Sequence, residues 1–217
     1  MLFLRAGSSN VRRTICGLAY AVLAVAAIGA DDWKTAKLDD AKITVKYRIS
    51  ERVTETGVRV PMIEDIATTI AEVSLSGCVA LMKDTSKHKE FMGDYSSEAI
   101  KAISGNEWIV YYYTKNPWPV PDSDCVAIMS FSEDAGLGTA DFRLSAAPDL
   151  MEYKKVERMS FFNIAYSFKD LGNGTVEIVM TGRSSPPVKV PLWLINSAFP
   201  GVPADGIRKF VKLAKTM

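Results

Sequence analysis

Between residues 98 and 181 the chain offers six strand-forming segments in succession: 98–103, 107–113, 123–131, 139–147, 157–168 and 175–181. Gly105-Asn106, Gly136-Leu137-Gly138 and Gly172-Asn173-Gly174 separate three of the pairs with tight-turn sequences. Turns this short join neighbouring strands that run in opposite directions, because a parallel crossover needs a dozen or more residues. The second half of the chain is therefore expected to be an antiparallel meander. Its strands alternate in polarity: Ala140, Phe142, Leu144 and Ala146 share one face and Thr139, Asp141, Arg143 and Ser145 the other, while Val176, Ile178 and Met180 oppose Glu177 and Thr181. Such a sheet has one wet face and one dry face, and the dry face needs a cover.

The flanking segments supply it. Residues 42–53 alternate as a half-buried strand, with Ile43, Val45, Tyr47 and Ile49 on one side, and after the turn 54–57 a partner strand spans 58–72. Over 73–92 the apolar period lengthens, placing Leu75, Cys78, Val79 and Met82 on a helical face. Asp84 then caps a second short helix that turns Phe91 and Met92 inward. At the C-terminus Pro191 opens a helix with Leu192, Ile195 and Phe199 on one stripe. Residues 200–203 (Pro-Gly-Val-Pro) interrupt it, and Ile207, Phe210, Val211 and Ala214 continue an apolar face backed by Arg208, Lys209, Lys212 and Lys215. Hairpin, helices, meander and long terminal helix together describe an α+β helix-grip fold, a curved antiparallel sheet wrapped around a C-terminal helix.

The 217 residues, 48% hydrophobic and 24% charged, suit one domain with a full core. The first 30 stand apart. Arg5, Arg12 and Arg13 precede an uncharged apolar run, 14–30, that ends in small residues before Asp31-Asp32. This reads as a secretory signal peptide over 1–30 leaving a domain over 31–217, secreted or periplasmic; an uncleaved N-terminal membrane anchor is the alternative. Taking those three arginines from 26 Lys+Arg leaves 23 against 25 Asp+Glu, a net charge near −2 that argues against nucleic acid as a partner. Cys78 and Cys125 remain, as two buried thiols or as one pair in an oxidising compartment.

Motifs for catalysis are missing. The single histidine, His88, lies in Lys87-His88-Lys89-Glu90 and reads as part of a solvated helical face. Asp122 and Asp124 read as solvated loop carboxylates, and Asn173-Gly174-Thr175 as a hairpin turn rather than a glycosylation site. No metal-ligand spacing, nucleophile motif or phosphate-cradling glycine loop is present, so no cofactor is expected. The aromatic supply says more. Tyr111, Tyr113, Trp118, Phe131, Phe142, Phe161, Phe162, Tyr166 and Phe168 all fall in the sheet or its loops. They either fill the core or border a space that an apolar ligand fills.

Two motifs narrow the choice. Residues 106–113 run into Pro117-Trp118-Pro119-Val120-Pro121-Asp122-Ser123-Asp124, and 190–196 read Val-Pro-Leu-Trp-Leu-Ile-Asn. Together, and in this element order over roughly 32–215, they resemble the START family of lipid-transfer domains. The resemblance implies a lipid or other apolar small molecule held between sheet and terminal helix, by a monomer in transient contact with membranes. It implies ligand-binding roles for Tyr111, Tyr113, Trp118, Phe142, Leu144, Phe162, Leu192, Ile195 and Phe199. Access is expected beneath the terminal helix, with a hinge at 200–203 and Trp118 on the rim. One departure stands out: the family commonly has arginine before aspartate, and here Ser123 precedes Asp124. The missing cation implies a neutral ligand, sterol-like, fatty-acid-derived or polyketide, rather than a clamped phospholipid head group. A cyclase-like enzyme of the same fold, using Tyr and Asp as acid and base, and a ligand-free interaction module of the cell envelope are the alternatives.

Overall fold

The computed structural model describes residues 32–199 and 201–217; the segment 1–30, expected to be a signal peptide, lies outside them. The strands, in chain order, are β1 (Lys34–Thr35), β2 (Ile43–Val53), β3 (Arg59–Ala71), β4 (Ser96–Ser104), β5 (Glu107–Thr114), β6 (Ser123–Asp134), β7 (Thr139–Ala146), β8 (Glu157–Arg158), β9 (Phe162–Asp170) and β10 (Val176–Ser184). Four helices join them: α1 (Leu75–Lys83), α2 (His88–Met92), α3 (Leu192–Ala198) and α4 (Gly201–Ala214). One sheet runs β1-β2-β3-β10-β9-β7-β6-β5-β4, antiparallel at every step, and β8 adds to β6 in parallel. With β1 and β4 at its edges the sheet stays open, and a long helix lies against it: the helix-grip arrangement.

The alternation read from the sequence determines what faces inward. Val45, Ala67, Ile178, Phe168, Phe142, Met129 and Val110 form a continuous dry face. α4 lays Ala204, Ile207, Phe210 and Ala214 on it. The Phe210 ring stacks 5.4 Å from Phe168 and 5.6 Å from Tyr166 and meets the edge of Phe91 at 5.1 Å. Each such side chain contributes about 1.5–3 kcal/mol by leaving water, so α4 is bound to the sheet by its aromatic core. Glycine lets the helices close on one another. A side-chain carbon at Gly77 of α1 would meet the carbonyl oxygen of Ala214 at 2.8 Å, and one at Gly206 would meet that of Phe91 at 3.0 Å. Ser74 caps α1, its hydroxyl accepting from the Gly77 N–H at 3.0 Å.

Several expectations need correction. The segment 157–168 is not one strand: Glu157–Arg158 pairs in parallel with Ser123 and Asp124, and β9 begins at Phe162. The interruption of the terminal helix is as expected: Phe199, which precedes a proline, is extended (φ −90°, ψ 137°) and separates α3 from α4. His88 is not on a solvated face. It is fully buried, with Phe91 one turn on beside it, while Lys89 and Glu90 point outward. Cys78 and Cys125 follow the first of their two readings, buried and unpaired, and burial pushes the Cys78 thiol up to about 12.

Candidate functional site

The loop between β5 and β6 is tied at its neck. Asn116 donates from its backbone N–H to Asp122 at 3.1 Å, and from its side-chain amide to the Pro121 carbonyl at 2.8 Å and the Ser123 hydroxyl at 3.1 Å. The Tyr113 hydroxyl donates to the other Asp122 oxygen at 2.5 Å, which holds that carboxyl below its ordinary range. The prolines keep the intervening chain off the sheet ladder, and the Trp118–Pro119 bond is cis. Trp118 stands at the tip, 92% exposed.

One face of this loop closes a cavity of about 320 Å³. Pro117, Val120 and Pro121 form one wall, and the ends of the strands form the floor through Thr114, Ser123, Ile63 and Ser184. Met159 and the linker residues Pro186, Pro187, Val188 and Val190 form the far wall, and α3 is the roof, presenting Leu194, Ile195, Ala198 and Phe199. The lining is apolar, relieved by the hydroxyls of Thr114, Ser123, Ser184 and Ser197 and the Asn116 amide; no wall residue titrates between acid and alkaline pH. A larger depression of about 510 Å³ beside β2, β3 and α4 carries the charged residues Asp40, Lys42, Glu72, Arg208 and Lys215 together with Ile43, Ile70, Ala71 and Val211.

Of the residues expected to bind ligand, Ile195 and Phe199 line this cavity. Phe142 and Leu144 are sealed in the closed core, and Phe162 packs against Tyr112 with ring centroids 6.1 Å apart. Leu192 is exposed on the outside of α3. Tyr111 and Tyr113 face the other side of the sheet, where Ile109, Tyr111 and Val126 form a small separate core with Met151. The strand turns Val110 and Tyr112 inward instead, so the aromatic run 111–113 was read one residue out of phase. Trp118 lies outside the cavity, and its neighbours Pro117 and Val120 provide the contact expected of it. The wall residues Met159, Pro186 and Val190 went unread because they come from loops, which carry no periodic signal.

Asp124 is not a solvated loop residue either. It is 1% exposed and bonded twice to Arg158, whose Nε donates to Oδ1 and whose Nη2 donates to Oδ2 at 2.9 Å. The remaining guanidinium protons reach the carbonyls of Pro148 (2.7 Å), Met151 (3.3 Å) and Glu152 (3.2 Å). The cation missing before Asp124 thus arrives from β8 on the outer face, and its donors are occupied. It is a structural pair that pins the segment 147–158 over the outer core, and it does not face the cavity.

His88 is similarly occupied. Its Nε2 lies 2.8 Å from the Met82 carbonyl, which can only accept, so the proton sits on Nε2; Nδ1, 2.8 Å from Tyr112, therefore accepts from the tyrosine hydroxyl. Burial lowers its pKa to about 4, and the ring is neutral.

No family model and no curated protein matches the chain. Solved structures do. The STAR-related lipid transfer protein of Xanthomonas axonopodis superposes with a TM-score of 0.68 at 24% identity, over 85% of this chain and 99% of that one. Human StAR-related lipid transfer protein 5 gives 0.65 at 15% identity, over 87% and 88%. The Zhui aromatase/cyclase of a Streptomyces gives 0.51 at 7% identity, over 70% and 93%. These likenesses place the fold as START-like.

Proposed function

We propose that a chain with this START-like fold binds an apolar small molecule, a lipid in the broad sense, in the cavity beneath α3 and carries it between membranes as a monomer. The observation that supports this most directly is the cavity itself: about 320 Å³, apolar on its walls, and roofed by a helix with little holding it down. α3 buries only Ile195 fully, worth about 1.5–3 kcal/mol, whereas α4 is held by Ala204, Ile207, Phe210 and Ala214 together. Lifting α3 is therefore the low-cost opening, and α4 stays on the sheet. Access runs beneath α3 and the proline loop rather than beneath the long helix. Trp118 and Trp193, 92% and 67% exposed, flank residues that line the two sides of the opening, and they are the side chains to enter a bilayer interface. The leader at 1–30 would deliver the domain across a membrane and be removed at Asp31.

A cyclase-like activity needs an acid or base against the ligand. Among the described residues the cavity walls themselves provide hydroxyls and one amide, which suits binding, and an acid or base would have to come from a carboxyl behind them. The test is native mass spectrometry of the purified protein, with organic extraction of what accompanies it. A co-purifying apolar molecule, or uptake of a fluorescent lipid that Ile195→Glu prevents, is the expected result. A protein that is empty and takes up no lipid would overturn the carrier reading.

A further inference from the structure

Asp65 lies on the inner face of the sheet, where a charge has to be accounted for. It is in register with Tyr47 of β2 on one side and Gly182 of β10 on the other, two residues from the fully buried Ala67 on the same face. The residue is 8% exposed, and its Oδ2 is buried without a hydrogen-bond partner. A side-chain carbon at Gly182 would meet Asp65 Oδ1 at 2.5 Å, so β10 leaves the space that the carboxylate occupies. Fold stability does not ask for this. An unpaired carboxylate among apolar groups is costly, and burial alone pushes its pKa up to about 6.

Its position relates it to the cavity. Ile63 and Ser184, the next in-register pair along β3 and β10 on the same face, form part of the cavity floor. Same-face neighbours on a strand are about 7 Å apart, so the carboxylate is one pair beyond that floor. Laterally, the ring of Tyr47 lies 6.4 Å from Phe199, a roof residue.

We propose that Asp65 is the polar end of the ligand site: an apolar molecule bound beneath α3 reaches past Ile63 and Ser184 and donates a hydrogen bond from a hydroxyl or amine head to the Asp65 carboxylate. This rests on the cavity being the ligand site and adds which ligands it selects. A donor head supplies the missing partner, an ether or ester oxygen offers none, and a carboxylate or phosphate head meets like charge.

The test uses the whole chain loaded with the uncharged dye Nile red at mildly alkaline pH, with dodecanol, dodecylamine, dodecyl methyl ether and dodecanoate as displacers. Dodecanol or dodecylamine is expected to displace the dye at about tenfold lower concentration than the ether, the effect of one hydrogen bond to a charged acceptor. The stronger of the two identifies the head group. In Asp65→Asn, which keeps the shape of the side chain and whose folding is checked by thermal unfolding, that preference falls to about threefold or less. Equal displacement by alcohol, amine and ether, a preference that survives in Asp65→Asn, or dodecanoate as the best displacer overturns the subsite. The cavity reading stands in those cases if Ile195→Glu abolishes ether displacement. If none of the four displaces the dye, both fall.

Discussion

His88 and Asp65 carry opposite pH signatures. Burial holds the His88 ring neutral to about 4 against an ordinary 6.5, so the unfolded chain takes up a proton first as pH falls. Stability from this site is complete above 6.5 and is lost between 6.5 and about 4, on the order of 3 kcal/mol. Of its neighbours, Asp84 favours the charged ring and Tyr112 donates to its unprotonated nitrogen. The stability gap between the protein and His88→Gln should therefore narrow on acidification, as followed by urea unfolding. Asp65, beside Tyr47 and near Tyr166, does the reverse. Its pKa is raised from 3.8 to about 6, so folding is penalised above 6 and the penalty fades as pH falls toward 3.8. Asp65→Asn should be more stable than the natural chain by on the order of 3 kcal/mol above neutrality and equal to it near the lower value. The Arg158–Asp124 pair gives a third expectation. Arg158→Met alone strands a buried carboxylate and should cost about 3–5 kcal/mol, whereas adding Asp124→Leu should recover much of it, as a double-mutant unfolding cycle would read.

Among the elements, α3 and α4 differ in what restrains them. α3 is a seven-residue helix whose N-terminal Pro191 makes no side-chain cap, and it buries one residue. α4 has aromatic stacking above and glycine-mediated contact with α1 and α2. Amide hydrogen exchange should find the α3 amides opening well before those of α4, and ligand should slow α3 selectively. Protection of α3 equal to that of α4 without ligand would contradict a lifting roof. The break between the two helices was legible in the sequence as 200–203, since a proline forces its predecessor out of helical geometry and Phe199 is indeed extended. Which half moves was not legible, because that depends on the partners each half finds on the sheet.

For the whole molecule the exposed tryptophans matter most. Trp118 and Trp193 stand on the loop and the helix that share the cavity, an arrangement with no value to the fold itself. Replacing both by alanine should leave stability within about 0.5 kcal/mol. It should slow transfer of a fluorescent lipid between vesicles about tenfold while the ligand that co-purifies is unchanged. A loss of binding together with transfer would place these side chains in the ligand site instead of at a membrane.

By itself the sequence determined most of the long strands, the turns, the faces those strands bury and the interrupted terminal helix, because period, proline and glycine act over a few residues and need no knowledge of the rest of the chain. Even there the tyrosine run was read one residue out of phase, since three consecutive aromatics carry no alternation. Tertiary structure alone decided what meets across distance. Arg158 reaches Asp124 from 34 residues away, and a lone histidine flanked by charges turns inward to Met82 and Tyr112. The space beneath α4 fills with Phe91, Tyr166, Phe168 and Phe210, so the remaining cavity lies under α3. Packing is a sum over neighbours distant in the chain, and it places both the cavity and the unpaired carboxylate behind its floor.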